Sequence, residues 1–211
     1  CLFMKILIAT GIYPPDIGGS AQYARGVENA WKEEGHEVKV LTFRFERKLP
    51  TGIRHLYYFL RVLFSLHGVD FVFSPDTFSA AIPALFASKL LGKKIIIRTG
   101  GDFLWEQYVE RTGGLVLLRD FYRTPFRLNL NLKERAIFSL LRFLFRHVDA
   151  TIFSTEWQRD IFEQPYRLNL KKCFIVENYY GLKEKSLLPK TAVLPLEREN
   201  KIFVGGTRAL K

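Results

Sequence analysis

Cysteine is almost missing from this 211-residue chain, which has only Cys1 and Cys173. That excludes a disulfide framework and a cysteine metal site, and it suits a reducing compartment. Long apolar runs are missing too. Asp76, Lys89, Arg142 or Arg146 interrupts the longest of them, so none offers the roughly 18 clean residues a spanning helix needs. No basic n-region precedes the first apolar strand, so no secretory signal is expected and the cytoplasm is the expected compartment. Two phosphate-binding signatures are also absent. No G-x-G-x-x-G follows a strand directly, since six residues separate Gly11 from Gly18, and no Gly-Lys-Ser/Thr occurs; this argues against a nicotinamide dehydrogenase or a P-loop enzyme. Repeats and low-complexity tracts are lacking as well.

Acidic residues are in short supply: 21 Asp and Glu stand against 32 Lys and Arg, a net charge of +11. Basic chains favour polyanionic partners, whether nucleic acid, anionic lipid or phosphorylated substrates. The excess is mixed with aromatic and aliphatic residues at Arg44 to Arg61 and Arg111 to Arg146 rather than held in a tail. On helices, Arg54, Arg61 and Ser65 form one narrow stripe, and Arg135, Ser139, Arg142 and Arg146 form another. Such helices either pack into a core with a thin solvated edge or lie in a membrane interface. No RNA- or DNA-binding motif is present and the aromatics follow core periodicity, so nucleic acid is not the expected partner.

Apolar residues make up 48% of the chain, enough for a packed core, and strand and helix patterns alternate along it. Strands are expected at Ile6 to Ala9, Glu37 to Phe43, Asp70 to Ser74, Lys94 to Arg98, Ala150 to Ser154 and Cys173 to Val176. Helices are expected from Ser20 to Glu34, Ile53 to His67, Ala80 to Leu91, Leu132 to His147 and from a Thr155 cap. The stretch Phe103 to Leu130 reads as irregular. The pattern specifies an α/β fold: a doubly wound, mainly parallel sheet of six to seven strands with helices on both faces. Residues 4–182 form that domain. Residues 183–200, charged and interrupted by prolines, read as a linker, and 201–211 (KIFVGGTRALK) as the first strand of a second domain.

In doubly wound sheets ligands collect at the carboxyl ends of strands. The loop Tyr13-Pro14-Pro15-Asp16-Ile17-Gly18-Gly19 leads from the first strand into a helix capped by Ser20. Gly18 and Gly19 let backbone amides approach an anion, and the helix dipole favours its charge; a plain strand-to-helix turn would look the same. Asp102 can orient a hydroxyl or take a proton, with Glu106 one turn on to support it, or it can cap the next helix. Asp76 after the third strand divides in the same way between a ligand contact and a cap. Arg98 suits a phosphate or a surface ion pair. Trp105 and Tyr108 suit a sugar ring or the core. His36, His55, His67 and His147 are spaced unlike metal ligands.

Taken in order, these pieces resemble a known family. The Y-P-P-x-x-G-G loop, G-H-E-V-x-V-x-T at Gly35 to Thr42, FVFSPDTFSAAIPALFASKLLGKKIIIR, IFSTEWQRDIF and FIVENYYG together look like the acceptor-side domain of a family 4 glycosyltransferase of the GT-B fold. The closing IFVGGTRALK resembles the start of its donor-binding domain. The resemblance implies transfer of a sugar, with retention and without a metal or other cofactor, from a nucleotide-diphosphate sugar to a glycan or lipid-linked acceptor in cell-envelope or polysaccharide synthesis. It implies Gly18, Gly19 and Ser20 at the donor diphosphate, Asp102 and Glu106 as catalytic residues, and Asp76, Arg98, Gly101 and Trp105 around acceptor and sugar. A subset of the family shares the G-D-x-x-W-E at Gly101 to Glu106 where other members carry a histidine. The family's paired glutamates would lie beyond Lys211, so this chain alone is expected to be inactive. It is also expected to touch the inner face of an anionic membrane. A non-catalytic basic module binding anionic membrane or nucleic acid is the other reading.

Overall fold

The computed structural model describes residues 3–50, 52–123 and 129–178. Six strands form one sheet in the order β2-β1-β3-β4-β5-β6, every neighbouring pair parallel. They are β1 (Lys5–Thr10), β2 (Glu37–Thr42), β3 (Phe71–Ser74), β4 (Lys94–Thr99), β5 (Ala150–Phe153) and β6 (Cys173–Ile175). The inner strands are apolar without alternation because both their faces are covered; in β1 only Lys5 is exposed. The register pairs Ile6 with Val38 on one side and with Phe71 on the other.

From β1 the chain steps one way to β2 and afterwards always the other way, so the strand order reverses between β1 and β3. Right-handed crossovers then put the first helix on one face and the later ones on the opposite face. The core divides accordingly. Helix α1 (Gly19–Glu33) covers Ile6, Ile8, Val38 and Phe73, with Trp31 edge-on to Phe71 and Phe73. On the other face lie α2 (Ile53–Ser65), α3 (Ala81–Leu90), α4 (Phe103–Thr112), α5 (Leu118–Arg123), α6 (Leu132–His147) and α7 (Glu156–Tyr166), over Leu7, Ala9, Val72, Ile95, Ile97 and Phe153. The fold is a Rossmann-like doubly wound α/β sheet, as the pattern required.

Helix α6 bears out most of its stripe: Ile137, Phe138, Leu141, Leu144 and Phe145 are buried and Arg135, Ser139 and Arg146 face water, while Arg142 is half-buried. Its start is fixed by a capping box between Asn131 and Glu134. The Thr155 hydroxyl caps α7 by accepting from the Gln158 amide at 3.2 Å. Three expectations need correction. The cap of α1 is Gly18, two residues before the expected Ser20 and without a side-chain bond, and Ser20 lies inside the first turn. The stretch after β4 holds α4 and α5, because Asp102 caps α4 and Gly113, at φ 65°, ends it in the left-handed conformation that glycine adopts cheaply. In α2 the arginine stripe is not a solvated edge, since Arg61 is bonded to the buried Glu46. Residues 183–200 and 201–211, read as linker and new strand, lie outside the described residues.

Candidate functional site

The carboxyl ends of β3, β4 and β6 and one side of α1 enclose a groove of about 850 Å³, beside the point where the strand order reverses. One wall is α1, which presents Gly19, Ser20, Tyr23, Gly26, Val27 and Ala30 on a single helical face. The β3–α3 loop supplies Pro75 to Phe78, the end of β4 supplies Arg98, Gly100 and Gly101, and α4 supplies Glu106. Val176 to Asn178, just beyond β6, close it.

Six of the nine residues singled out in the sequence line this groove: Gly19, Ser20, Asp76, Arg98, Gly101 and Glu106. Gly18 stands one residue before it as the cap of α1. The first-turn amides of α1 have no carbonyl of their own helix to receive them and carry its positive dipole end, so this wall suits an anion. A Cβ on Gly19 would meet nothing within 4 Å.

Arg98 does not stand on the surface. It is 4% exposed, its guanidinium lies 3.8 Å from the centroid of the Tyr23 ring, and its Nη2 donates to Oδ1 of Asn178. A planar cation stacked on an aromatic face and held at one edge is fixed in orientation. Tyr23 was not singled out in the sequence. Its spacing from Gly19 is a signal of a shared helix face, but only the fold shows that the face looks onto β4.

The carboxylates divide sharply. Asp76 holds its own loop: Oδ1 accepts from the amides of Phe78 at 2.8 Å, Ala80 at 3.0 Å and Ala81 at 3.4 Å, so it anchors the entry to α3. Asp102, 2% exposed and turned away from the groove, caps α4 by accepting from the Trp105 amide at 3.0 Å and also accepts from the Tyr122 hydroxyl. Tyr122 in turn meets the Tyr166 hydroxyl at 2.6 Å. Burial pushes Asp102 up to about 6, against the bonds from Tyr122 and the amides. Trp105 also faces inward: its indole donates to the Val116 carbonyl at 2.8 Å, and the ring packs on the core.

Glu106 lines the groove together with Asp76 and Glu177. Its side chain opens to solvent on that side and is crowded by protein on the others. This desolvation, followed by the charges of Asp102, Asp76 and Glu110, pushes it up to about 7. A group balanced near neutrality can give or take a proton. His55 packs between Phe43 and Phe78, tilted to one ring and edge-on to the other, and His147 bonds the Phe143 carbonyl. Among the described residues no group of three or more His, Cys, Asp or Glu converges as metal ligands would, and no helix is long and apolar enough to cross a membrane.

No family model matches the chain, and no curated protein does. Among solved structures, the crystal structure of Glycyrrhiza uralensis UGT73P12 complexed with glycyrrhetinic acid 3-O-monoglucuronide is similar to it at a TM-score of 0.46 and 11% sequence identity. The similarity covers 83% of this chain and 49% of that one, so the chain spans about half the length of that structure.

Proposed function

We propose that the groove receives the diphosphate of a nucleotide-diphosphate sugar and that the chain is the acceptor-side half of a glycosyltransferase. The transfer proceeds with retention to a glycan or lipid-linked acceptor, in envelope or polysaccharide synthesis at the inner face of a membrane. One observation carries the reading: the α1 amino terminus, Arg98 and Glu106 converge on one groove beside the reversal of strand order. Amides at Gly19 and Ser20 and the oriented Arg98 guanidinium match a diphosphate. As the donor's glycosidic bond breaks, negative charge grows on that leaving group, and fixed donors aimed at it stabilise the transition state more than the ground state. The reading therefore invokes no metal.

Glu106 exchanges a proton with the acceptor hydroxyl. Asp102 acts through Glu106, by fixing the start of α4 and by its charge. Gly101 leaves room for the Glu106 carboxylate, and Asp76 sets the floor. In this reading a separate donor-holding half completes the enzyme, and the chain alone turns over little or no sugar.

The test is calorimetric titration of the chain with a panel of nucleotide-diphosphate sugars. Weak binding by some members, lowered roughly tenfold or more in Arg98→Ala, is the expected result. Binding to none of the panel, or binding indifferent to Arg98, would sink the reading.

A further inference from the structure

Helix α2 turns its apolar stripe outward. Its arginine edge is folded back instead: Arg61 donates to the Glu46 carboxylate and, at 3.3 Å, to the Thr42 carbonyl, and its guanidinium lies 5.8 Å from the centroid of the Phe45 ring. Ile53, Leu56, Tyr57, Leu60 and Phe64 face solvent, with Leu56 60% and Phe64 80% exposed. Their spacing, i, i+3, i+4, i+7 and i+11, makes one continuous face three turns long. The 3-10 turn Phe45–Lys48 packs beside α2, and Phe45 and Leu49 extend the exposed apolar surface. A contiguous apolar face of this kind marks an interaction surface, unlike single scattered residues.

Charge selects the occupant. From Arg44 to Val69 the sequence has five basic residues, Arg44, Arg47, Lys48, Arg54 and Arg61, and one acid, Glu46, which pairs with Arg61 and leaves an excess of four basic residues. Glu46 is fully buried, so no carboxylate of the segment faces outward. A second copy presenting the same face would set like charge against like. An anionic leaflet neutralises that charge and takes Tyr57, Leu60 and Phe64 at headgroup depth. The face also adjoins the groove, because His55 in the first turn of α2 packs edge-on, at 6.2 Å, against Phe78 in the groove wall.

We propose that α2 and its preceding 3-10 turn form a membrane-docking face that lies flat on an anionic leaflet and brings the groove mouth to the headgroups. The inference specifies the membrane contact in the transferase reading and rests on that reading only for the inner leaflet as its site.

The test is sedimentation of the full chain with vesicles of phosphatidylglycerol in phosphatidylcholine, beside phosphatidylcholine alone. Binding is expected to the anionic vesicles only and to weaken with salt. It is expected to fall roughly tenfold or more in Leu60→Glu and in Phe64→Glu, but not in Leu115→Glu, where an exposed leucine lies outside α2. Unchanged binding by the α2 variants overturns the proposal. So does a dimer in lipid-free sedimentation velocity that Leu60→Glu converts to monomer, because the face then belongs to a second copy. Nucleotide-sugar titration without vesicles reports on the groove separately, so failure of either reading is distinguishable.

Discussion

The Glu106 carboxylate occupies the space in front of Gly101: a Cβ on Gly101 would stand 2.7 Å from Oε1. In Gly101→Ala the far end of a flexible side chain must swing aside, and the backbone at 101 is not left-handed. Stability is expected to hold or to rise by about 0.4–1 kcal/mol, while nucleotide-sugar binding changes. Gly11→Ala makes the contrast, because its Cβ would stand 2.4 Å from Oδ2 of Asp76, which three backbone amides hold in place. A loss of about 1–3 kcal/mol is expected there. Urea unfolding of the two variants checks both.

The pH dependence of stability has two signs. Glu106, raised from 4.5 to about 7, and Asp102, raised from 3.8 to about 6, bind protons more tightly folded than unfolded. Their contribution is complete below the unfolded values and is lost as pH climbs through 6 and 7. Glu134 runs the other way. Burial pushes it up, but the bidentate bond from Arg111 and the Asn131 amide outweigh burial and hold it below its usual value, so its contribution is lost on acidification. Glu106→Gln should flatten the decline in unfolding midpoint toward pH 7, and Glu134→Gln should lessen the loss on the acid side.

Asp102 acts through structure and charge together. Asp102→Ala removes the α4 cap, a loss of about 1 kcal/mol, and one of the two partners of the buried Tyr122 hydroxyl, which keeps its contact with Tyr166. Asp102→Asn keeps a capping oxygen and is expected to cost less. It also removes one of the charges that hold Glu106 high, so the Glu106 titration followed by carbon-13 NMR should move down. A Glu106 titration identical to that of the unaltered chain would show that Asp102 does not tune the groove.

Tyr23 should be replaceable by phenylalanine and not by alanine. The ring face carries Arg98, and a desolvated cation–π contact contributes about 1–2 kcal/mol. Tyr23→Phe is expected to bind nucleotide-diphosphate sugars like the unaltered chain, and Tyr23→Ala roughly tenfold more weakly, by calorimetry.

The strands were legible because runs such as KILIAT and KIIIR can lie only where both faces are covered, and the helices α6 and α7 because their cap residues precede a periodic face. Helix α4 was not. Its FLWEQYVERT spreads aromatic and acidic residues around the whole circumference, which hides the 3.6-residue period. In α2 the fault was different: a helix apolar almost all round carries no information about which stripe turns inward, and the buried Glu46 that draws Arg61 back lies outside the helix. The groove was legible at its strand ends, where doubly wound topology concentrates ligands. Tyr23 and the inward turn of Asp102 and Trp105 were not, because each depends on a partner distant in sequence: Arg98, Tyr122 and Val116.

The bond between Arg98 and Asn178 joins positions 80 residues apart and ties the chain just past β6 to the middle of the sheet. Any ligand that orders Arg98 therefore draws on the same free energy that keeps the β6 end docked, and by mass action it should stabilise that end. Proteolytic cleavage near Asn178, slowed in proportion to ligand saturation, is thus a reporter of groove occupancy that needs no catalytic turnover.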